Sequence, residues 1–432
     1  MIGSKNRGGR GDTGPGPRPN RRAVIFGTLG YAGATAAHAA PAPAGTGAPG
    51  SAVSSGDNPS APGEAGVDTA GSNGARTLPF HGRRQAGVDT APTAHISYLG
   101  LDLSPAGSRA QTREAARRLL VLLSGDASRL AAGRGTLADT EPELAGTPAR
   151  LSVTFGFGPR LLGAVAPASS PPWLRPLEPF AIDRLDGGHG QTDLVLAVGS
   201  DDPLALAHAR RALLKDAGSL AATRWVQDGF RTAYGSAAPG ATARNLFGQL
   251  DGTGNPGGAG LERAVWGGEG LAPWIDGGTS LVLRRISMDL DRWDEVDRPG
   301  RDFALGRHQD TGAPLGGTLE HERPDPAAAD TDGLPLMSAD SHVARSLPRH
   351  PDEVILRRAH SYQSVGTGGV PGDSGLLFAS YQADIDRQFL PIQRRLAESD
   401  MLNEWTTPVG SAVYAVPPGC AEGGFVGDAL FG

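Results

Sequence analysis

Three short stretches carry side chains whose chemistry stands out from their surroundings. The first is Gly248-Gln249-Leu250-Asp251-Gly252-Thr253-Gly254-Asn255-Pro256, one carboxylate in a run of turn-forming residues with almost nothing beside it in sequence to neutralise it. Its glycines permit φ > 0 and let another group approach the main chain closely, so it is a poor helix interior and a poor central strand. The second is Ser341-His342-Val343, and the third is Ile355-Leu356-Arg357-Arg358. A carboxylate can carry a proton, a histidine can ligate a metal, and an arginine is a fixed cation.

Metal chemistry is narrowly bounded. Cys420 is the only cysteine, which excludes an intrachain disulfide and a CxxC metal site. Ten histidines are present, none in an HExxH or H-x-H arrangement, so a multi-histidine zinc or copper centre has no local support. A single histidine can still hold a haem, because the porphyrin supplies the other four ligands. His342, between loop and strand, is the candidate. If the strand through Arg357 and Arg358 alternates, the two arginines point to opposite faces and only one can reach such a group.

The elements that must position these residues follow from periodicity. Residues 95–103 alternate as a strand, and 108–124 read as a helix with Ala115, Ala116, Leu119, Leu120 and Leu123 on one stripe. Strands are expected over 151–157, 193–199 and 222–230, with a helix over 203–217. This β-α-β, loop, β-α-β order suits a ferredoxin-like split βαβ sandwich. The second half repeats the plan, with strands at 278–288, 354–357, 375–381 and 412–416, a helical segment at 290–296 and a helix at 389–399. The fold class is therefore α+β: two ferredoxin-like modules with antiparallel sheets side by side, residues 78–240 and 241–432.

Composition limits the function classes. A chain of 432 residues can bury a large core. The formal net charge of −6 offers no broad basic surface, which argues against a nucleic-acid partner. Glycine (64) and proline (35) are high and unevenly spread, and residues 40–77 read as a disordered Ala/Pro/Gly/Ser linker.

The motifs resemble one family. Gly248-Gln249-Leu250-Asp251-Gly252 matches the GxxDG motif of the dye-decolourising peroxidases, and Thr253-Gly254-Asn255-Pro256 continues that family's run. Gly306-Arg307 with Thr311-Gly312-Ala313-Pro314-Leu315-Gly316, Ser341-His342-Val343 and Leu356-Arg357-Arg358 are similar to further family segments. So are Phe80-His81-Gly82, Gln393 to Asp400, and Gly410 to Gly419, all in order from about Leu78 onward. The resemblance implies two ferredoxin-like modules of the dimeric α+β barrel type, with one haem b per chain in the C-terminal module. It implies that His342 is the proximal iron ligand, Asp251 the distal acid–base group and Arg357 the charge stabiliser, in preference to Arg358. Gly252, Thr253, Gly254, Pro348 and Arg349 would line the haem, Arg349 as a propionate partner. Asp384 and Asp386 are the candidate acceptors for the His342 ring. Leu347-Pro348-Arg349 stands where Asn-Pro-Arg is expected, and Ala359-His360 where Gly-Tyr is common, so His360 packs or tunes access. Trp405, Tyr414 and Tyr381 could relay radicals, although core packing is the simpler role.

The activity so implied is a haem peroxidase that reduces hydrogen peroxide and oxidises bulky phenolic or dye-like organic reductants. The alternative is an exported haem-handling protein, deferrochelatase-like, that releases iron from haem. Homo-oligomerisation is left open.

The N-terminus points to export. Arg21-Arg22 precede a weakly apolar run over 23–37, too short and glycine-rich for a membrane span, and Ala37-His38-Ala39 fits a small-x-small cleavage site. Residues 1–39 thus read as a twin-arginine signal peptide, delivering a folded, haem-loaded protein outside the cytoplasm with no stable membrane insertion after cleavage. Replacing Arg21-Arg22 by Lys-Lys should leave the full-length precursor in the cytoplasm, whereas wild type yields a mature chain beginning at Ala40. Secretion of the Lys-Lys variant at the wild-type level, read by fractionation and N-terminal sequencing, would exclude the twin-arginine machinery as the export partner.

Overall fold

A computed structural model describes residues 72–238, 240–266, 271–366 and 372–431, all within one compact unit. The signal peptide over 1–39 and most of the linker expected over 40–77 lie outside the described residues. The end of that linker is shorter than expected, because Asn73 already packs, its amide donating to Asp201 at 3.0 Å.

In the N-terminal half, strand β1 (His95–Leu103) leads into helix α1 (Arg109–Ala131), then β2 (Ser152–Phe157), helix α2 (Pro159–Val165), β3 (Leu194–Ser200), helix α3 (Pro203–Ala217) and β4 (Ala221–Phe230). The helices start where the sequence supplies caps. Ser108 accepts the Gln111 N–H, and Asp202 accepts the Leu204 N–H just before Pro203. α1 runs seven residues past the expected end at 124, because Ala127, Leu130 and Ala131 extend its buried stripe.

The second half contains α4 (Gly258–Val265), β5 (Thr279–Met288), α5 (Leu290–Asp294), α6 (Arg298–Leu305), α7 (His342–Ser346), β6 (Leu356–Arg357), β7 (His360–Ser364), β8 (Asp373–Gln382), α8 (Leu390–Ser399) and β9 (Thr406–Val416). The strand expected over 354–357 shortens to two residues, and β7 was not foreseen. Its sequence, His360-Ser361-Tyr362-Gln363-Ser364, is too polar to announce a strand. A wide π-helical turn over Ile385–Phe389 precedes α8.

The strands pair in the order β5-β9-β2-β3-β1-β4-β7-β8-β6, with β5 also pairing β8. Eight strands thus close a ring, and β6 adds to β8 beside β7. Each half has the ferredoxin-like order: β4-β1-β3-β2 in the first, β9-β5-β8-β6/β7 in the second. Pairing within the halves is extensive, whereas among the described residues the strands of the two halves pair only at Phe157 opposite Ala415 and Phe230 opposite Ser361. The expected side-by-side sheets therefore join edge to edge into one barrel, which leaves few open edges.

Alternation separates two cores. Along β9, Ala412, Tyr414 and Val416 face the cluster that fills the barrel, while Val413 and Ala415 face the helices outside. Tyr98, Trp225, Tyr362, Tyr381 and Tyr414 fill the interior. Gly100 makes room for Trp225, since a Cβ there would stand 2.4 Å from the indole. Outside, Leu119, Leu120 and Leu123 of α1 and Leu213 of α3 pack on Leu99, Leu196 and Val198.

One charged group sits badly in this outer core. Asp126 of α1 is 4% exposed, and burial together with the charge of Asp216 on α3 pushes its carboxyl up to about 7. The unfolded chain releases that proton near pH ~3.9. Between those values the native state holds more protons at Asp126 than the unfolded one, so the contribution of this group to stability is greatest at low pH and is lost as pH rises toward 7. Asp126→Asn should be more stable than wild type above pH 7, with the gap closing toward pH 4. Thermal unfolding across that range checks this, at about 1–2 °C in Tm for each kcal/mol recovered in a unit of this size.

Candidate functional site

The loop around Asp251 is held by its own polar residues. Arg244 and Leu250 form an isolated bridge, Asn245 accepts the N–H groups of Phe247 and Gln249, and the Asp251 N–H reaches Ala243 O at 2.8 Å. Gly248 has φ +78°, and a Cβ there would lie 2.5 Å from the Gln309 amide, so only glycine fits. Asp251 has no cation near it in sequence, yet the fold brings Arg357 Nη1 to 3.3 Å from its Oδ1. Asn255 secures the approach. Its side-chain amide donates to Arg357 O at 2.8 Å and accepts the Arg357 N–H at 3.0 Å, tying the loop to β6.

Strand alternation separates the two arginines as expected. Leu356 faces the barrel interior, and Arg357 points out toward Asp251. Arg358 turns back inside, donates to Thr90 O, and lies near Tyr98 and Tyr381. Burial pushes its guanidinium pKa down. His360 is also interior. Burial, then the Arg231 charge, pushes it to about 3, and its Nε2 lies 3.1 Å from Thr93 O. A carbonyl partner requires a donor, so this is a neutral Nε2–H imidazole in a packing role.

His342 is the first residue of α7, where Ser341 caps the helix by accepting the Ala344 N–H at 3.3 Å. Its Nδ1 meets Asp400 Oδ2 at 2.6 Å, and Asp400 is buried, its other oxygen accepting the Leu402 N–H. Burial opposes the His342 charge, but Asp400 outweighs it and the pKa is raised; the charges of Arg357 and Asp251 also reach the ring. Asp384 and Asp386 are not its partners. Asp384 caps the π-helical turn by accepting the N–H groups of Asp386 and Arg387, and Asp386 pairs with Arg175 at 2.8 Å. Asp384 is committed to the turn after β8 and Asp386 to Arg175, whereas Asp400 ends α8, which packs on α7.

The remaining expected residues divide. Gly252, Thr253 and Gly254 lie beside the pair: a Cβ on Gly254 would be 3.9 Å from Arg357 Nη2, and the Thr253 hydroxyl donates to Glu320 at 2.8 Å. Pro348 and Arg349 are exposed after α7. The Arg349 N–H donates to Glu353, and its guanidinium makes no ion pair among the described residues. Tyr381 and Tyr414 are fully buried, the Tyr414 hydroxyl 2.8 Å from Thr192, and Trp405 packs edge-on to Trp293. All three pack against core clusters.

Sequence reasoning missed four contributors: Asp400, Asn255, Glu320 and Arg231. Asn255 and Asp400 stood inside quoted motifs, but nothing local marked their contacts. Arg231, at the end of β4, lines a cleft with Asp251, Arg244, Asn245 and Ser361; burial lowers its pKa, and the Asp251 charge opposes that.

Among the described residues no group of three or more His, Cys, Asp or Glu converges as a metal site. One histidine with Nδ1 engaged by a buried carboxylate keeps Nε2 for a metal, which fits an axial haem ligand rather than an all-protein centre.

Comparison with known proteins agrees. Residues 85–231 match the family profile described as Dyp-type peroxidase, N-terminal, and residues 242–421 match Dyp-type peroxidase, C-terminal. A dye-decolorizing peroxidase of Thermobifida fusca is 35% identical over 368 residues, covering 80% of this chain and 83% of that one. A deferrochelatase of Escherichia coli K12 is 29% identical over 375 residues, covering 82% and 86%. Among solved structures, a DyP-type peroxidase from Cellulomonas bogoriensis superposes with a TM-score of 0.79 at 48% identity, covering 83% of this chain and 99% of that one. With both halves matched in order on a barrel of this topology, the chain belongs to the Dyp-type peroxidase family and is a haem-dependent peroxidase.

Proposed function

We propose that this peroxidase works with Asp251 as its distal acid–base group, Arg357 as its charge stabiliser and His342 as its proximal ligand. Hydrogen peroxide is the oxidant, and bulky phenolic or dye-like donors are the reductants. The observation that carries the reading is the Asp251–Arg357 pair at 3.3 Å, close enough to the His342–Asp400 pair for its charges to act on that ring. Haem b would be held through His342 Nε2, with Gly252, Thr253, Gly254 and Arg357 on one side and Pro348 and Arg349 at the edge. It would supply the iron at which peroxide is reduced and the two electrons for that reduction, which the organic donor later restores.

The chain's own part is proton and charge management. The Asp251 carboxylate takes the proton from the near oxygen of peroxide and returns it to the far one, so that water leaves rather than hydroxide. Arg357 offsets the negative charge that develops as the O–O bond breaks. Asp400 accepts the His342 Nδ1–H, fixing the tautomer and raising the basicity of the ligating nitrogen.

The twin-arginine signal over 1–39 and modules divided at 240/241, with haem in the second, belong to the same proposal. The second reading, iron release from haem, is favoured by the deferrochelatase relatives at 29% identity. A carrier has no need of a distal base or charge stabiliser, so an absorption spectrum before and after one equivalent of peroxide separates the two.

His342→Ala should abolish tight haem binding, and Asp400→Asn should weaken it by roughly 10–100-fold, the usual worth of an outer partner to a ligating histidine. Soret titration measures both, and normal haem content in His342→Ala would remove it from the site.

With haem content matched, Asp251→Asn should slow the reaction with peroxide by roughly 10²–10⁴-fold. Arg357→Leu should slow it by about 10²–10³-fold. Arg358→Leu should cost stability and leave the rate much closer to wild type. Stopped-flow mixing decides; a crippling Arg358→Leu beside a mild Arg357→Leu would reverse the assignment of the arginines.

A further inference from the structure

The segment from Gly306 to Glu322 is not used by the chemistry above, yet it is built against the residue that performs it. Gly306 ends α6 with φ +88°, and the chain turns back on itself: His308 N–H reaches Ala313 O at 2.8 Å, and Arg307 bridges Pro314. Arg307 Nη1 then donates to Gly312 O at 2.6 Å and Glu320 O at 2.7 Å, closing the loop on its own return. Gly312, with φ +73°, comes so near the Asp251 loop that a Cβ would stand 2.5 Å from Leu250 and 3.0 Å from Glu320. Arg244 forks between the two segments, donating to Gly248 O at 2.6 Å and Asp310 O at 2.7 Å.

The strongest tie is one carboxylate oxygen. Glu320 Oε1 accepts the Thr242 hydroxyl at 2.5 Å and the Thr253 hydroxyl at 2.8 Å. Thr242 precedes Ala243, whose carbonyl receives the Asp251 N–H, and Thr253 follows Asp251 by two residues. Both chain segments that carry Asp251 therefore converge on Glu320. Burial acts against the Glu320 charge, but the Thr242 and Thr253 hydroxyls, with His321 and Arg307, hold its carboxyl below the usual range. Hydrogen bonds to an ionised acceptor are short and strong. By contrast, Asp251 and Arg357 share a single contact at 3.3 Å, too long to set its own geometry.

We propose that Glu320 is the positioning residue of the peroxide reaction: it staples Thr242 to Thr253 and so sets where the Asp251 carboxylate stands against Arg357. This rests on the reading of Asp251 as the acid–base group. Glu320 itself neither touches the reacting atoms nor moves a proton.

The test uses haem-loaded protein at matched haem content, with two readouts: stopped-flow reaction with hydrogen peroxide, and amide exchange of residues 242–256. Glu320→Ala should slow the reaction by about 10–100-fold, the cost of a misplaced reacting group, and speed exchange in that segment. Glu320→Gln keeps an acceptor oxygen and should restore both readouts nearly to wild type. Thr253→Val should behave like Glu320→Ala, and it carries the test if Glu320→Ala does not accumulate. In an Asp251→Asn background, Glu320→Ala should add almost nothing to the rate loss, because its effect passes through Asp251.

If Asp251→Asn is slow but Glu320→Ala matches wild type in rate and exchange, the staple is overturned. An equal loss in the wild-type and Asp251→Asn backgrounds overturns it too, since Glu320 would then act on the whole protein. If Asp251→Asn reacts as fast as wild type, the acid–base reading falls and this role falls with it.

Discussion

A carboxylate and a guanidinium 3.3 Å apart, drawn from positions separated by 106 residues, make the contact on which the rest of the molecule turns. Coulomb attraction falls smoothly with distance and supplies no register of its own. The spacing of Asp251 and Arg357 must therefore come from the backbone that carries each. Arg357 sits on β6, registered to β8 with Arg357 opposite Ser380. Asp251 sits on a loop bonded to that strand by Asn255 and to the Gly306–Glu322 segment by Thr253. A rigid strand presents one partner, and a loop braced from two sides presents the other.

The barrel makes that rigidity possible. Its interior is filled with aromatic side chains resting on glycines, a packing that tolerates little adjustment. It also buries charge at a cost. Arg358 is enclosed with a carbonyl and two tyrosines for company, and His360 is forced neutral. These polar groups bind the N-terminal residues Thr90 and Thr93 to the strands that carry Arg357. Among the described residues the halves share two strand-paired residue pairs across their sheet edges, and such interior contacts add to the joint.

The histidine side follows a different logic. His342 begins a helix of five residues, too short to be stable alone, and is fixed by Ser341 beneath it and Asp400 beside it. Asp400 is itself fixed, since it caps the turn that leads into β9. Each group that orients His342 also ends or begins an element, so folding and orientation are one event.

Much of this was legible in the chain. Alternating runs marked most strands, apolar stripes marked α1 and α3, and the element order implied two ferredoxin-like halves. The motifs marked Asp251, His342 and Arg357, and alternation alone predicted that Arg357 and Arg358 diverge. β7 escaped because its residues are polar, being held by neighbours rather than by their own pattern. The acceptor for His342 escaped because three aspartates lie between 384 and 400, and only the packing of α8 on α7 distinguishes Asp400. Asn255, Glu320 and Arg231 escaped for the same reason. Periodicity and caps act between residues a few positions apart, so sequence determined the elements and the reactive residue types. Distances between segments a hundred residues apart depend on sheet register and on which loop edges meet, and those only the tertiary structure decided.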